Sequence, residues 1–514
     1  MNGAETLVKT LLASGVDTVF ANPGTSEMHF VAALDGHPEM NCVLCLFEGG
    51  TSGAADSYFR MKRDVSATLL HLAPGLANGF ANLHNARKAN SGVLNVVGDH
   101  ATYHLAYESP LKGNLDGVAQ SISHWTRRAE DAVSVAGDGS AAIRAARANN
   151  GQISTLILPA DTAWNEAEAA TVATAPADLV RPWPAEITAA AARLSAPGAV
   201  LIVSGDALFG EGLELAGKIA AKTGARLFSD TSLPRLRTGA GAPVVTQLPY
   251  PVPPKIAALE GTSSITLVGV GRPVTFFAYP GKPSLPEPPE AGVFPLCRPE
   301  MDILWTLRAL VDELDADSVD PDRCAGSRPD APTGAVTADK VGVALAALLP
   351  DNAIFLNEAV SNGRNYSQML REAAPIDVLG STGGSIGWCL PGAVGAATAC
   401  PDRKVVAVTG DGSGMYTAQS LWTMARQGLD VTVIVLANRG YQILRNEMGN
   451  VGVTSYGANA QAMLDVDGPQ LDWVALAKGH GVPGTRAEDM ETFAAALRAG
   501  VAADGPSLIE LVLG

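Results

Sequence analysis

The feature that most constrains the fold is the alternation of short β-branched runs with segments of helix length along the whole chain of 514 residues. This alternation is typical of parallel sheets whose strands are connected through helices. We therefore expect an α/β fold of doubly wound parallel sheets. The runs that we interpret as strands are Val16 to Phe20, Cys42 to Phe47, SATLLHL, GVLNVVG, GAVLIVSG, SITLVGV, AIFLNE, KVVAVTG, VTVIVLA and PSLIELVL. We expect the run from Cys42 to Phe47 to be a buried strand, and Ser26 to cap a helix that runs to Leu34.

Two stretches without a hydrophobic period separate three such blocks. Residues 161–184 are rich in alanine, proline and threonine, and residues 314–337 are polar and rich in proline, a composition that is typical of linkers. At roughly 150 residues for each domain, the length of the chain allows about three domains. We predict a first domain over residues 1–170, a central domain over residues 184–320 and a third domain over residues 335–514.

The charge balance and the cysteine count narrow the function classes. Lys and Arg total 36 and Asp and Glu total 52, so the formal net charge of −16 argues against nucleic acid or an acidic membrane surface as a partner. The beginning MNGAETLVKT lacks the pattern of a secretory signal, and no run approaches the roughly 18 apolar residues that span a bilayer. The 6 cysteines are too few for a disulfide framework. We expect reduced thiols and a cytoplasmic protein.

The segment with the clearest chemistry lies in the predicted third domain. Gly410, Asp411 and Gly412 end one predicted strand, and Asn438 ends the next, 27 residues after Asp411. Because the carboxyl ends of parallel strands meet at one edge of a sheet, we expect this carboxylate and this amide oxygen to converge there. Together with the carbonyl of Gly440 they suit Mg²⁺. The glycines allow backbone N–H groups to approach a diphosphate, and we predict a helix that starts near Tyr416 and points its positive end at it.

This pattern resembles the thiamine diphosphate (ThDP) dependent enzymes, in the branch of acetolactate synthase, pyruvate oxidase and benzoylformate decarboxylase. Where these enzymes carry a pair of asparagines, this chain has Asn438 followed by Arg439, so the second asparagine is missing. The resemblance implies the three-domain layout of the pyruvate decarboxylase/oxidase-like fold: a pyrimidine-binding domain, a central domain and a diphosphate-binding domain. It implies Mg²⁺ bound by Asp411, Asn438 and the Gly440 carbonyl. The other residues that it places against ThDP in this part of the chain are Ser361, Gly410, Gly412, Ser413, Tyr441 and Leu444.

The resemblance also implies partners for the organic part of the cofactor. Glu48, in CVLCLFEGGTSGAADSYFRM, matches the family glutamate that hydrogen-bonds to N1′ of the aminopyrimidine and so assists removal of the C2 proton. Read without the resemblance, Glu48 is a first-turn glutamate favoured by the helix dipole. In STGGSIGWCLPGAVGAA, Ile386 matches the bulky residue beneath the bend of the cofactor, and the Gly384 carbonyl matches the acceptor of its amino group. The alternative for Ile386 is simple core packing.

Substrate contacts are expected from the first domain. NPGTSE matches a loop of benzoylformate decarboxylase-like enzymes, in which Thr25 faces the substrate carboxylate, and LLHLAPGLANGFANLHNA aligns His71 with an active-site histidine of that family. His71 would act as an acid/base or would orient the substrate, although a histidine before a glycine turn also occurs as a structural residue. Asp99 and His100 stand where relatives carry other residues; they either reshape the pocket or cap a turn.

The central domain departs from the benzoylformate decarboxylases. Its segment GRPVTFFAYPG contains no histidine, so a proton transfer that such a histidine serves would need another donor. The aromatic residues Phe276, Phe277 and Tyr279 in this segment either cover an apolar substrate group or pack in the core. No pattern in this domain requires a flavin, and we expect no FAD.

The expected reaction is ThDP- and Mg²⁺-dependent, non-oxidative decarboxylation of a 2-oxo acid, carboligation, or both, as in benzoylformate decarboxylase or acetolactate synthase. The family layout implies a homodimer or homotetramer with active sites at the subunit interface. Two alternatives are a nicotinamide-dependent oxidoreductase built on the same kind of sheets, and a catalytically silent paralogue that binds ThDP. The identity of the 2-oxo acid and the choice between decarboxylation and carboligation are left open, as are the number of subunits and a regulatory subunit.

Overall fold

The strands of the chain form three sheets in a computed structural model that describes residues 1–513. In the first sheet, of six strands, the order is β2-β1-β3-β4-β6-β5, and all neighbours are parallel. Its strands are β1 (Thr18–Ala21), β2 (Asn41–Leu44), β3 (Ser66–Leu70), β4 (Val93–Asp99), β5 (Trp125–Arg128) and β6 (Ile153–Pro159). The central strands β3, β4 and β6 are buried along their whole length. Such burial explains why their sequences are apolar on both faces.

The second sheet has five parallel strands in the order β10-β8-β7-β11-β12. They are β7 (Ala199–Val203), β8 (Arg226–Ser229), β10 (Thr246–Gln247), β11 (Ser264–Val268) and β12 (Gly292–Cys297). The third sheet has seven strands in the order β17-β18-β16-β15-β13-β14-β9, and β9 runs antiparallel to β14. These are β9 (Leu236–Thr238), β13 (Ile354–Asn357), β14 (Ile376–Gly380), β15 (Val405–Gly410), β16 (Val431–Ala437), β17 (Gly484–Ala487) and β18 (Ser507–Val512).

Twenty α-helices connect and cover these sheets within residues 1–513. They are α1 (Gly3–Ala13), α2 (Met28–Asp35), α3 (Glu48–Lys62), α4 (Leu72–Lys88), α5 (Leu115–Ile122), α6 (Val135–Arg147), α7 (Ala160–Trp164), α8 (Pro184–Leu194), α9 (Gly210–Thr223), α10 (Val252–Ala258), α11 (Ile303–Glu313), α12 (Ala338–Leu348), α13 (Tyr366–Met369), α14 (Cys389–Ala399), α15 (Asp411–Gly414), α16 (Ser420–Gln427), α17 (Gln442–Asn450), α18 (Ala458–Leu464), α19 (Trp473–Gly479) and α20 (Met490–Ala502). In the described part of the chain, no helix has the length and apolar character needed to cross a membrane.

The chain divides into two compact units, which we describe one at a time. The first unit holds residues 1–178, 382–402 and 416–431, and the second unit holds residues 179–381, 403–415 and 432–513. In the first unit α1, α2 and α6 pack their apolar residues against the first sheet. In the second unit one core lies under the second sheet and another under the third. The limits of the three predicted domains stay a prediction.

The predicted α/β fold class is confirmed, and three local expectations are wrong. The run from Cys42 to Phe47 is not a buried strand, because β2 is the edge strand of its sheet and Cys42 is exposed. Ser26 does not cap a helix; Glu27 reaches back to the Gly24 N–H instead, at 2.7 Å. No helix starts near Tyr416, since a short helical turn begins directly at Asp411 and the next helix starts at Ser420.

Candidate functional site

The two strand ends that were predicted to bind a metal lie in the second unit, where β15 and β16 are neighbours in the third sheet. Asp411 follows the last residue of β15, and its Oδ2 accepts a hydrogen bond from the backbone N–H of Arg439 at 2.6 Å. Its Oδ1 accepts from the N–H of Gly412 at 2.8 Å. Asn438 follows β16, and its Oδ1 accepts from the Gly440 N–H at 3.3 Å. The two strand ends thus bring Asp411 against the loop that carries Asn438, as the spacing predicted.

The electrostatic environment of Asp411 suits a cation. Asp411 is 4% exposed, and within residues 1–513 it forms no ion pair with a lysine or arginine. Burial raises the pKa of the Asp411 carboxyl above its ordinary value, and the backbone N–H groups of Arg439 and Gly412 offset only part of this rise. A buried carboxylate without a counter-charge is costly. With an amide oxygen beside it, this donor set fits Mg²⁺, which prefers hard oxygen ligands.

The other predicted cofactor residues of this part of the chain lie in the same unit as Asp411 and Asn438. The ring of Tyr441 covers Gly412, where an added Cβ would lie 2.6 Å from Tyr441 Cε1. The Gly440 carbonyl accepts from the Gln442 N–H at 3.0 Å and keeps its second lone pair for a ligand. Four further predicted residues are exposed or partly buried: Gly410, Ser413, Ser361 and Leu444. Ser361 lies in the segment after β13, and Leu444 lies on α17.

Glu48 lies in the first unit as the first residue of α3. The positive end of the helix favours a carboxylate at this position. Glu48 is nevertheless 7% exposed, and its Oε2 accepts a hydrogen bond from Asn78 Nδ2 at 3.0 Å. Glu48 Oε1 accepts no hydrogen bond from residues 1–513. A glutamate that only interacts with the helix dipole can stay exposed to solvent. The Glu48 carboxylate is instead buried, with one oxygen hydrogen-bonded and the other without a donor.

The segment with Gly384 and Ile386 belongs to the same unit as Glu48. Gly384 is exposed with φ 76°, and Ile386 is only partly buried, so it is not a core residue. The segment leads into α14, which packs closely on α3. An added Cβ at Gly395 of α14 would lie 1.9 Å from the carbonyl oxygen of Ala54 on α3, so only glycine permits this approach. On α3, an added Cβ at Gly53 would lie 2.9 Å from Pro391 Cγ of α14, so glycines of both helices allow the close packing that brings this segment towards Glu48.

His71 directly follows β3 and contacts the loop after β1. Its Nδ1 lies 2.9 Å from Glu27 Oε2 and 3.2 Å from Ser26 Oγ, and Glu27 is 3% exposed. An added Cβ at Gly75 would lie 3.1 Å from Glu48 Oε1 and 3.3 Å from His71 Cβ, so the two predicted catalytic residues flank the same glycine. Thr25 is exposed, and its role stays a prediction.

Sequence reasoning missed several polar residues of this unit. Glu27 was part of the matched NPGTSE loop but received no role, although it holds the imidazole of His71. Asn82 and Asn85 are 3% and 0% exposed on α4, in register with Asn78 at a helical spacing of four and three residues. That spacing of asparagines on an otherwise apolar helix face was the available signal.

Contacts of the folded chain bear on two alternatives that the sequence left open. Asp99 caps a turn: its Oδ1 accepts from the His100 N–H at 2.8 Å, and its Oδ2 accepts from Arg128 at 2.6 Å. In the second unit Phe276 and Phe277 are 44% and 52% exposed, so they do not pack in a core, whereas Tyr279 is buried and donates a hydrogen bond to Glu447 at 2.7 Å.

Comparisons with known proteins agree with this geometry. Residues 1–124 match the family described as "Thiamine pyrophosphate enzyme, N-terminal TPP binding domain", and residues 362–511 match its "C-terminal TPP binding domain". A Mycobacterium tuberculosis protein, provisionally named acetolactate synthase large subunit IlvX, is 45% identical over 514 residues, covering 100% of this chain and 99% of the relative. The benzoylformate decarboxylase of Pseudomonas aeruginosa is 30% identical, covering 97% of this chain and 96% of its own.

Solved structures show the same fold. The ThDP-dependent 4-hydroxybenzoylformate decarboxylase of Rhodococcus jostii RHA1 superposes with a TM-score of 0.86 at 25% identity, covering 100% of this chain and 99% of its own. The benzoylformate decarboxylase of Polynucleobacter necessarius, at 21% identity and a TM-score of 0.85, covers 100% and 99% and shares the fold. The chain therefore belongs to the thiamine pyrophosphate enzyme family, as a ThDP-dependent enzyme of its acetolactate synthase-like and benzoylformate decarboxylase-like branch.

Proposed function

We propose that this enzyme uses ThDP and Mg²⁺ to decarboxylate a 2-oxo acid without oxidation, and that it releases the product as an aldehyde or joins it to a second carbonyl compound. The observation that carries the proposal is the buried Glu48 carboxylate, with Oε2 held by Asn78 and Oε1 free of hydrogen bonds from residues 1–513. A carboxyl group presented in this way can hold a proton at N1′ of an aminopyrimidine through Oε1.

The residues that would hold the cofactor have the required chemistry. When bound, ThDP supplies an electron sink for the carbanion that loss of CO₂ creates. Asp411, Asn438 and the Gly440 carbonyl would bind Mg²⁺, since their oxygens are hard ligands and the Asp411 carboxylate is buried without a counter-charge. Gly384 would accept the cofactor amino group at its carbonyl oxygen, which accepts no hydrogen bond from the described chain, and Ile386 would lie beneath the bend.

Contacts to the diphosphate and to the rest of ThDP would come from further residues of the second unit. Their hydroxyl and backbone N–H groups suit phosphate oxygens, and Leu444 offers an apolar surface. These residues are Ser361, Gly410, Gly412, Ser413, Tyr441 and Leu444.

The substrate-facing groups would be Thr25 and His71. Glu27 holds the imidazole of His71 through Nδ1, at 2.9 Å, which leaves Nε2 to donate or accept a proton at the substrate. The exposed Thr25 hydroxyl would donate to the carboxylate of the 2-oxo acid.

Assembly and location complete the proposal. We propose a homodimer or homotetramer in which the active sites lie between subunits, following the family layout. We propose a cytoplasmic location because the chain has only 6 cysteines, too few for a secreted protein that disulfides stabilise.

The test combines product analysis with one substitution. Holoenzyme incubated with pyruvate, benzoylformate and longer 2-oxo acids should release CO₂, with an aldehyde or a 2-hydroxy ketone found by mass spectrometry. Glu48→Gln keeps the shape of the side chain and should retain ThDP binding while turnover falls by about 10²-fold or more. Glu39→Gln, at an exposed glutamate of the same unit, is the control and should leave turnover unchanged. Unchanged turnover in Glu48→Gln, or no product from any of these acids, would contradict the proposal.

A further inference from the structure

Three asparagines on one face of α4 connect Glu48 to the segment that carries Gly384 and Ile386. Asn78, Asn82 and Asn85 follow one another at helical spacing, and we call them the asparagine stripe. The whole stripe and all of its partners lie in the first unit. Asn82 and Asn85 are buried, so their amide groups need protein partners in place of water.

Asn82 joins the helix of Glu48 to this segment. Its Nδ2 donates to the carbonyl of Gly49, the residue after Glu48, at 2.8 Å, and to the carbonyl of Gly387 at 3.4 Å. Its Oδ1 accepts from Asn85 Nδ2 at 3.0 Å. The amide group of one side chain thus bridges two backbone segments that lie more than 300 residues apart in the sequence.

Asn85 holds the same segment at two more points. Its Oδ1 accepts from the N–H groups of Gly383 and Ser385 at 3.1 and 3.2 Å, and its Nδ2 donates to the Ser385 carbonyl at 2.8 Å. Together the two buried asparagines fix the backbone at residues 383, 385 and 387. Gly384 and Ile386, the predicted cofactor residues, lie between these fixed points.

We propose that Asn82 and Asn85 are positioning residues that set the distance between the Glu48 carboxyl group and the Gly384–Ile386 surface. This rests on the proposed function of Glu48, Gly384 and Ile386. Proton relay and cofactor bending act on one small molecule, so their spacing has to be correct within a fraction of an ångström to about 1 Å. The hydrogen bonds of the stripe connect the two groups directly, through side chains that use both their donors and their acceptors.

The experiment compares Asn82→Ala and Asn85→Ala with Asn95→Ala. Asn95 is an asparagine of the same unit with 0% exposure, bonded to Thr68 and Thr155 within the sheet, and it forms no hydrogen bond with Glu48 or with segment 383–387 in the described chain. It therefore reports the cost of removing any buried asparagine. Melting temperature, amide hydrogen exchange of the protein without cofactor, ThDP affinity, and deuterium exchange at C2 of bound ThDP are measured for all variants.

We expect all three variants to melt at lower temperature. Asn85→Ala should lose amide protection at Gly383 and Ser385, whose N–H groups donate to Asn85. Both stripe variants, and not Asn95→Ala, should slow C2 exchange at saturating ThDP, by about 10- to 100-fold. If either alanine variant does not melt cooperatively, Asn85→Asp serves in its place with slowed C2 exchange as its readout, because it keeps the shape and the acceptor of the Gly383 and Ser385 N–H groups while losing both donor bonds.

Stripe variants that melt like Asn95→Ala but keep normal C2 exchange would overturn the proposal, as would slow exchange in Asn95→Ala. Glu48→Gln separates this failure from failure of the proposed function. If Glu48→Gln abolishes C2 exchange and the stripe variants do not slow it, the function stands and the positioning role is wrong. If Glu48→Gln leaves C2 exchange at the normal rate, the proposed function itself is wrong.

Discussion

Replacing Asp56 by alanine should destabilise the first unit strongly, because the Asp56 carboxylate neutralises a buried guanidinium. Arg60 donates to the two oxygens of Asp56 at 2.9 and 2.6 Å, and the side chains of Arg60 and Asp56 are 2% and 0% exposed. Burial lowers the pKa of Arg60, and Asp56 opposes this. Removing one partner of such a pair costs about 3–5 kcal/mol, because the other charge stays buried.

The same carboxylate serves two further donors. It accepts from Trp388 Nε1 at 2.8 Å and from Ser91 Oγ at 2.5 Å, and both lose their acceptor in Asp56→Ala. We therefore expect a loss of about 4 kcal/mol in the free energy of unfolding. A domain of this size loses about 2–4 °C for each kcal/mol, so the melting temperature should fall by about 12 °C in differential scanning calorimetry.

Two further variants isolate the cause. Asp64→Ala breaks an ion pair with Arg147 whose side chains are 42% and 25% exposed, and it should cost less than about 1 kcal/mol. The double variant Asp56→Ala, Arg60→Met removes the buried charge together with its partner and should recover at least half of the loss. A fall of less than about 3 °C for Asp56→Ala, or a double variant that is less stable than the single one, would refute the reasoning.

Two more predictions concern the position of His71 in the first unit and the stability of the second unit at acid pH. In Gly24→Ala the new methyl group would lie 2.1 Å from His71 Nδ1, so the imidazole must move and turnover should fall about tenfold or more; wild-type turnover would contradict the placement of His71. Burial by itself would raise the pKa of Asp377, but Arg235 and Arg403 outweigh it and hold that pKa below its ordinary value. A lowered carboxyl pKa contributes stability above the pKa of the unfolded chain, and this contribution is lost as the pH falls through the folded pKa. The stability advantage of the wild type over Asp377→Asn in urea unfolding should therefore be full above about pH 4 and shrink below it, and an advantage that is constant with pH would argue against this ion pair.

Much of the fold was predictable because strands buried on both faces are recognisable from their composition. VTVIVLA coincides with β16, and KVVAVTG overlaps β15 except for its first residue. Edge strands were harder: β2 is apolar in sequence but half exposed, and β5, with two arginines, was not predicted at all. Their environment depends on which strand ends up at the edge of the sheet, and this is a property of the topology and not of the local sequence.

The residues of the candidate site likewise fall into those that the sequence could predict and those that it could not. Asp411 and Asn438 were predictable, because each follows its strand directly and parallel strands open at the same edge. The Glu27–His71 contact was not, since it joins residues 44 positions apart through the packing of two loops. The side-chain roles of Asn82 and Asn85 were also hidden, because buried asparagines look like ordinary polar residues until their partners are known.

The amino-acid sequence by itself determined the α/β class, the strand ends that carry Asp411 and Asn438, and the helix start at Glu48, because burial periodicity and residue type act over a few neighbouring positions. Only the tertiary structure decided what holds these groups in place. Asn85 bonds to Gly383, 298 positions away, and Trp388 to Asp56, 332 positions away. Such partners are selected by the need to satisfy every buried polar group once the helices have packed, and that need arises only in the folded chain.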